Sequence, residues 1–344
     1  MSKQKTEAMF LVKKGDALTA FERRVMELRD LKGNEVLIES EAFGLNYADV
    51  MARLGLYREA PPMPCVVGYE LVGTVIEVGN DADPSLLGKR VVAFCRFGGY
   101  GKHVITWDYA VVPIADTPAE VAMVLCTQAV TAYYMAEYLT PIHKHEKVLI
   151  HAAAGGVGTV LIQLAKRKGA EVFAKIGDDS KASLVRQLGA DHVINYKKSD
   201  YGQQIESILK GDRLDASFNA VAGSTYKIDL KLLGSGGRLV LFGGAELGRA
   251  RWGIFSTLNF ARKMGMVIPI GLMMRSKNIL GVNMLKLADH RPIVLKHCLE
   301  DVVALYMKGE LKPQVGGVYS VDQLAEAHAA LEGGKTTGKL TVKW

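Results

Sequence analysis

The stretch VLIHAAAGGVG, residues 148–158, decides the fold of this chain. Its opening run, 148–150, is short and aliphatic, which is typical of a buried strand. Ala153, Gly155 and Gly158 follow at the spacing of a G-x-G-x-x-G turn, with alanine in the first position. Small residues there allow the backbone to approach a pyrophosphate closely. The pattern predicts the first βα unit of a dinucleotide-binding sheet, although a tight turn that binds no ligand would use the same residues.

A helical pattern, TVLIQLAKRKGA, begins at Thr159 directly after this turn, and Gly169 is placed to end it. The N-terminus of such a helix presents unpaired N–H groups and the positive end of its dipole to an anion. We therefore expect the turn to hold the phosphates of the cofactor. The predicted contacts are Ala153, Gly155, Gly156, Val157 and Gly158.

Length and charge narrow the class of protein. The 344 residues exceed the roughly 250–300 that a single hydrophobic core usually reaches, so we expect two domains. The formal net charge of +7 is spread along the chain rather than gathered in a block. A spread excess favours an anionic small molecule, such as a phosphorylated cofactor, over a nucleic acid.

The sequence predicts a cytoplasmic protein. The start, MSKQKTEAMF, lacks the apolar core of a signal peptide. The longest apolar run, 264–274, is shorter than the roughly 20 residues that a membrane-spanning helix needs. The four cysteines, at positions 65, 95, 126 and 298, are far apart and form no disulfide framework.

Two patterns of secondary structure divide the chain. Many short strands with glycine between them predict a compact β-rich domain before about residue 119. Strands then alternate with helices, which predicts a parallel sheet covered on both faces, with its ligand site at the carboxyl ends of the strands. The closing elements resemble the first pattern again. We therefore expect a nucleotide domain at 128–288, inserted into a β-rich domain formed by 1–127 and 289–344.

Within the nucleotide domain we expect a helix over 226–237, followed by a strand over 238–244. The next segment, 245–277, mixes basic residues with Trp252 and Phe255. We favour a helix packed on its own domain. A lid over the substrate pocket, or a basic amphipathic helix that touches a membrane, are the alternatives.

Eight collinear motifs carry a family resemblance: GLNYADVMARLGLY, VVGYELVGTVIEVG, RFGGYGKHV, TQAVTAYY, VLIHAAAGGVG, LGADHVINY, GGRLVLFGG and GKLTV. In them the sequence resembles the medium-chain dehydrogenase/reductase superfamily, specifically its zinc-free quinone oxidoreductase branch. RFGGYGKHV and segment 245–277 resemble the VAT-1 subgroup of that branch. The resemblance runs from residue 44 to the end of the chain.

The resemblance implies an α/β fold in which a doubly wound parallel (Rossmann) sheet is inserted into a GroES-like β-rich catalytic domain. It also implies an NADPH-dependent oxidoreductase that transfers hydride to quinones or related activated carbonyls. The alternatives are an alkenal or enoyl reductase of the same family, and a low-turnover NADPH-binding adaptor at membranes.

The zinc ligands of metal-dependent relatives are missing from this sequence. Relatives carry Cys and His where this chain has Asn46 and Tyr69, and the remaining Glu70 cannot form a tetrahedral site alone. A structural zinc site needs four close cysteines, but the segment 90–115 contains only Cys95. We therefore expect no metal.

The resemblance places Asn46, Tyr57, Gln128 and Thr131 near the nicotinamide. We expect Asn46, Tyr57 and Gln128 to be catalytic, because their hydrogen-bond donors could polarise an acceptor oxygen. Tyr57 is the best candidate for a proton donor, although a tyrosine with its ordinary pKa near 10 is a weak acid at neutral pH. Tyr57 as a packing residue, and Asn46 as a turn residue, are the structural alternatives.

Cofactor choice depends on the end of the second strand of the nucleotide domain. NAD sites place a carboxylate there, whereas this chain has Ile176 followed by Gly177, which leaves room for a 2′-phosphate. Asp178 and Asp179 would oppose a phosphate if they faced it. The resemblance adds two contacts to that phosphate, Lys181 and Tyr196. We also expect Lys339, near the C-terminus, to add positive charge there. We therefore expect NADP(H) as the cofactor, with Gly177 among its contacts.

Two further segments match backbone that passes beneath the cofactor in relatives, namely Phe242-Gly243 and Val282-Asn283. The strand NILGVNM, 278–284, resembles the edge through which relatives pair two subunits. An exposed apolar edge rarely stays unpaired, so we expect a homodimer.

Overall fold

The computed structural model describes residues 4–248 and 253–344, with side chains for all of these except 248 and 253–257. The chain divides into two compact units. The first takes the chain up to Val130 and again from Leu285 to Trp344, and the second is Thr131–Met284.

Sixteen strands lie in the described residues: β1 (Lys5–Leu11), β2 (Phe21–Glu27), β3 (Glu35–Leu45), β4 (Cys65–Val66), β5 (Glu70–Val78), β6 (Arg90–Phe94), β7 (His103–Trp107), β8 (Val111–Pro113), β9 (Lys147–Ile150), β10 (Glu171–Ile176), β11 (His192–Asn195), β12 (Leu214–Asn219), β13 (Leu233–Leu241), β14 (Asn278–Gly281), β15 (Val315–Ser320) and β16 (Lys339–Lys343).

The α-helices described are α1 (Ala17–Ala20), α2 (Tyr47–Arg53), α3 (Ala119–Met123), α4 (Ala129–Tyr133), α5 (Gly156–Arg167), α6 (Ala182–Gln187), α7 (Tyr201–Leu209), α8 (Tyr226–Leu232), α9 (Ala245–Gly248), α10 (Gly253–Met264), α11 (Pro269–Arg275), α12 (Met284–His290), α13 (Pro292–Met307) and α14 (Leu324–Glu332).

The first unit is built on β-sheets. A seven-stranded sheet runs in the order β15-β16-β3-β5-β6-β8, with β7 also paired to β3, and a three-stranded sheet has the order β2-β1-β4. The alternating pattern of β3 places Phe43 and Leu45 in a core with Leu71 of β5. Gly73 allows two strands to approach closely, because a Cβ there would lie 2.0 Å from the carbonyl oxygen of Glu39. The predicted GroES-like, β-rich fold is confirmed.

The second unit contains a six-stranded parallel sheet in the order β11-β10-β9-β12-β13-β14. The strand order reverses between β9 and β12, so the carboxyl ends of these two strands border a crevice of the kind that binds ligands. The aliphatic run 148–150 lies in β9 at the centre of the sheet and is fully buried. The predicted doubly wound sheet is confirmed.

One predicted boundary inside this unit is wrong. The helix expected over 226–237 ends at Leu232, and β13 begins at Leu233 rather than at residue 238. Leu233 pairs with Leu214 of β12 and is buried, which holds the start of the strand in the sheet. The glycines that follow let the strand pass through a register shift, and this irregularity hides the strand pattern.

Segment 245–277 forms α9, α10 and α11 in its described parts. Near the C-terminal end of α10, Lys263 bonds Glu246 at 2.6 Å and the Met264 sulfur accepts the Gly223 N–H at 3.2 Å. This end of the helix therefore packs on its own unit. Trp252 lies outside the described residues, and the Phe255 side chain is likewise not described. No helix in the described part of the chain is long and apolar enough to cross a membrane.

Candidate functional site

The turn between β9 and α5 is shaped by small residues. Ala153 is fully buried, and its N–H donates to the Lys175 carbonyl at 3.1 Å. A Cβ on Gly158 would lie 2.5 Å from the Ala152 carbonyl oxygen, so no other residue fits at that position without movement. Gly155 precedes the first residue of α5 in extended backbone. The 12-residue helix therefore begins at the carboxyl edge of the sheet, where its N-terminus can face an anion.

The end of β10 presents glycine where a carboxylate would select NAD. A Cβ on Gly177 would lie 2.7 Å from the Tyr196 hydroxyl oxygen, so the tyrosine covers this glycine directly. Asp179 does not add an uncompensated charge nearby. Its carboxylate accepts from Asn195 at 2.8 Å and pairs with Lys198 at 2.5 Å, and these contacts lower its pKa.

The second unit contains further residues that we expect to bind the cofactor, and each of them follows a strand of the same sheet. Lys181 lies in a short helical turn after β10, and Tyr196 follows β11. Phe242 and Gly243 follow β13, and Val282 and Asn283 follow β14. Because parallel strands end at one edge, the structure brings these residues to the same edge as the glycine turn.

In the first unit, Glu70 is the centre of a buried polar cluster. One carboxylate oxygen accepts from the Asn46 amide at 2.7 Å and from the Lys339 ammonium. The other accepts from the backbone N–H of Thr127 at 2.6 Å. Lys339 also donates to the Asn46 oxygen at 2.9 Å. Asn46, Glu70 and Lys339 therefore form a closed triangle, and Glu70 and Lys339 are fully buried.

Lys339 was expected to add charge at the adenosine end of the cofactor, and its placement corrects that expectation. Its ammonium is enclosed, and the Glu70 carboxylate neutralises it. A lysine committed in this way is not available to a phosphate. Sequence reasoning missed this pairing because 269 residues separate the two partners.

The residues present do not fit the zinc that metal-dependent relatives carry. Tyr69 stands at one ligand position and burial raises its pKa, which keeps the phenol neutral. Asn46 stands at another position, and the remaining carboxylate, Glu70, is already paired with Lys339. Among the residues that the structure describes, no group of three or more His, Cys, Asp or Glu could hold a metal ion.

Tyr57 is half-buried, with its ring in edge contact with Tyr69 at 6.2 Å between centroids. Burial raises the pKa of Tyr57 to about 12, so it is an even weaker acid than a free tyrosine. This finding weighs against Tyr57 as a proton donor.

Asp49 is an ionisable group that sequence reasoning missed. It is fully buried in α2, accepts the Asn46 N–H at 2.8 Å, and burial raises its pKa to about 7. The spacing of Asn46 and Asp49 is that of a helix capping box, and this signal could have revealed the carboxyl group.

Gln128 and Thr131 belong to different units. Gln128 is buried in the first unit, and its side-chain oxygen has no hydrogen-bond partner among the described residues. Thr131 is buried at the start of the second unit.

Comparison with known families accounts for both units. The pattern of the alcohol dehydrogenase GroES-like domain matches residues 32–116, and that of the zinc-binding dehydrogenase matches residues 156–298. The chain belongs to the medium-chain dehydrogenase/reductase superfamily. As a member of this superfamily it combines a GroES-like sheet with a Rossmann sheet, as expected from its motifs.

Three relatives illustrate what this superfamily member is similar to. Quinone oxidoreductase 1 of Escherichia coli (strain K12) is 34% identical over 62% of the chain and 65% of that protein. The human synaptic vesicle membrane protein VAT-1 homolog is 28% identical over 89% of the chain and 78% of that protein. Highly-reducing polyketide synthase 1 of Aureobasidium melanogenum is 29% identical over 92% of the chain, which spans only 14% of the synthase.

A solved structure shows the same fold. Mycobacterial Rv1454c, complexed with NADPH, has a TM-score of 0.85 and 25% identity, covering 98% of this chain and all of its own. The similarity extends over both units of this medium-chain dehydrogenase/reductase.

Proposed function

We propose that the protein is an NADPH-dependent, zinc-independent oxidoreductase that reduces quinones or related activated carbonyls. The observation that carries the proposal is the carboxyl edge of the parallel sheet. There a small-residue turn opens onto the N-terminus of α5, and Gly177 stands where a selective carboxylate would be. The similarity to an NADPH complex and to quinone oxidoreductases supports the same conclusion.

The residues of this edge fit a dinucleotide. The turn from Ala153 to Gly158 would hold the pyrophosphate, because its small residues let the backbone at the start of α5 approach an anion closely. Lys181 and Tyr196 would receive the 2′-phosphate beside Gly177. Phe242, Gly243, Val282 and Asn283 would line the rest of the dinucleotide, and Thr131 the nicotinamide end. When bound, the coenzyme supplies the hydride.

This chain's own contribution to the chemistry would be polarisation of the acceptor oxygen. Asn46 has two amide hydrogens, and Glu70 takes one of them. The second could donate to an oxygen that gains negative charge, and Gln128 could add a further donor. The triangle with Glu70 and Lys339 would hold Asn46 in a fixed orientation, so Asn46 would need no rearrangement during the reaction.

Quinones are the substrates whose reduction needs the least acid catalysis from such a site. Reduction of a quinone restores an aromatic ring, so the reaction needs little help from a general acid. Tyr57, with its pKa raised to about 12, is poorly suited to give up a proton. Because Tyr57 is a poor acid, a site that relies on hydrogen-bond donors favours quinones over simple ketones.

A second candidate is an enoyl or alkenal reductase, which the similarity to a highly-reducing polyketide synthase over 92% of the chain favours. Steady-state oxidation of NADPH against a panel of quinones and enones separates the two. Turnover of quinones supports the first proposal, and turnover of enones alone supports the second.

Tight NADPH binding without turnover would favour the adaptor alternative instead. Liposome co-sedimentation tests that reading, and it should then depend on Trp252 and Arg251, which both lie outside the described residues.

We also propose a cytoplasmic homodimer. β14 is the outer strand of the parallel sheet as far as the structure describes it, and it pairs with β13 alone. Such an edge could pair with the same strand of a second copy. We further propose domain boundaries at 1–127, 128–288 and 289–344, which limited proteolysis can test.

A further inference from the structure

A buried lysine lies near the end of β10 in the parallel sheet. Lys175 is the penultimate residue of β10, and only 5% of its surface is exposed. Its carbonyl oxygen accepts the N–H of Ala153, which ties it to the small-residue turn. Gly177, where a carboxylate would select NAD, is two residues further on. Lys175 therefore lies at the proposed adenosine end of the cofactor.

Aromatic rings and an imidazole hold the ammonium of Lys175. Its nitrogen lies 3.2 Å from Nδ1 of His151, 3.6 Å from the ring centroid of Tyr201 and 5.2 Å from that of Tyr196. Among the described residues, no carboxylate oxygen lies within ion-pairing distance of this nitrogen. Tyr196 is also the residue whose hydroxyl faces Gly177, so the same ring lies close to both the glycine and the ammonium.

His151 separates Lys175 from the nearest buried carboxylate. Nε2 of His151 lies 2.8 Å from Oδ2 of Asp229. Burial lowers the pKa of His151, so the ring is neutral and its Nδ1 can accept from the ammonium. Asp229 also accepts hydrogen bonds from three other buried side chains: Tyr201, Ser217 and Asn219. Because these donors satisfy the carboxylate, it does not need Lys175 as a direct partner.

We propose that Lys175 is a cofactor-selecting residue, whose ammonium beside Tyr196 favours a 2′-phosphate over a free ribose hydroxyl. The inference rests on the proposed function, because it assumes that the adenosine end of the coenzyme lies at Gly177. A cation in a buried setting acts over several ångströms, since water screens it little there. Lys175 thus supplies a positive charge close to Gly177, the position at which NAD sites carry a negatively charged carboxylate.

The preference for NADPH over NADH should depend on pH. Burial lowers the pKa of Lys175 to about 8 in the free chain, and a phosphate dianion nearby would raise it again. Binding of NADPH would therefore take up a proton near this pH, and the affinity for NADPH would fall as the lysine deprotonates. NADH, which lacks the phosphate, would show neither effect. The groups in contact with the ammonium are His151, Tyr196 and Tyr201, and the charges of Asp229, Asp200 and Glu246 act on it without direct contact.

Calorimetric titration of NADPH and of NADH tests the proposal in the wild type and three variants. In the wild type, the ratio of NADPH to NADH affinity should fall about tenfold between about pH 7 and about pH 9.5. Lys175→Met should lower the ratio about tenfold near pH 7 and abolish its pH dependence. Lys175→Arg should keep the preference at both pH values. Lys231→Met, which removes an exposed charge from the same unit, should behave like the wild type.

A ratio that does not change with pH in the wild type would overturn the proposal, as would a Lys175→Met variant that keeps the wild-type ratio. Proton uptake, measured for the wild type in two buffers of different ionisation enthalpy, decides the matter even if the variants do not fold. NADPH binding without proton uptake near pH 8 would contradict the role of Lys175. Wild-type protein that binds neither coenzyme would instead overturn the proposed function, and this inference with it.

Discussion

Glu70 and Lys339 form a fully buried ion pair that also orients Asn46. Replacing Glu70 by Gln leaves the ammonium without a counter-charge in a site closed to water. We expect Glu70→Gln to lower the free energy of unfolding by about 3–5 kcal/mol, measured by urea denaturation. Adding Lys339→Met should recover part of that loss, because the stranded charge is then gone.

The matched control is Glu120→Gln, which removes a carboxylate from a partly exposed pair with Lys343 at 2.8 Å. An exposed pair of this kind contributes less than about 1 kcal/mol. Equal losses in the Glu70 and Glu120 variants would contradict the structural role assigned to Glu70.

His328 is fully buried, with Nε2 3.0 Å from the Tyr100 hydroxyl, and burial lowers its pKa from 6.5 to about 3. Between these values the unfolded chain binds a proton that the folded chain does not, so stability falls as the pH falls through this window. We expect wild-type protein to lose about 2 kcal/mol more stability than His328→Gln between about pH 7.5 and about pH 5.

Urea denaturation at the two pH values measures this difference. His297→Gln, at an exposed histidine, should keep the wild-type pH dependence. The same pH dependence in wild type and His328→Gln would show that His328 does not titrate as its burial indicates.

At the scale of elements, the turn between β9 and α5 limits what the proposed phosphate site can tolerate. A Cβ on Gly158 would lie 2.5 Å from the Ala152 oxygen and 2.7 Å from the Ala153 Cα. Gly158→Ala must therefore shift the turn, and we expect NADPH affinity to fall at least about tenfold. Gly271→Ala is the control, because a Cβ there meets no heavy atom within 4 Å. Equal affinities in the two variants, measured by calorimetry, would exclude the turn as the phosphate site.

Elements whose signals are local could be predicted from the sequence. The aliphatic run 148–150, the glycine spacing and the alternation of β3 each depend on neighbours in the chain. The start of β13 was missed because its glycines interrupt the strand pattern, and the pairing of Leu233 with Leu214 decides it.

The residues of the candidate site likewise differ in whether the sequence around them reveals their role. The residues of the glycine turn carry their own signal in the sequence. Lys339 was misinterpreted, and Lys175 was missed, because partners far along the chain determine their surroundings. Glu70 is 269 residues from Lys339, and His151 is 24 residues from Lys175. No spacing rule connects such pairs before the fold is known.

For the whole molecule, the proposed homodimer gives a prediction about association. Met273 and Met274 of α11 are 75% and 82% exposed, and they shortly precede the edge strand β14 in the chain. If two β14 strands pair, these side chains lie near the interface, and large exposed apolar patches mark such contacts. We expect Met273→Glu with Met274→Glu to weaken dimerisation at least about tenfold.

Sedimentation velocity across a range of protein concentrations measures this association. Leu18→Glu, at a position 72% exposed in the other unit, should leave it unchanged. A wild-type protein that sediments as a monomer at every concentration would contradict the proposed pairing.

The proposed function requires that the carboxyl edge of the parallel sheet binds a phosphate-bearing nicotinamide coenzyme. Calorimetric titration of the wild-type chain with NADPH, and separately with NADH, measures this directly. We predict saturable binding of NADPH with higher affinity than NADH. A chain that releases or absorbs no binding heat with either coenzyme, or that prefers NADH, would contradict the assignment.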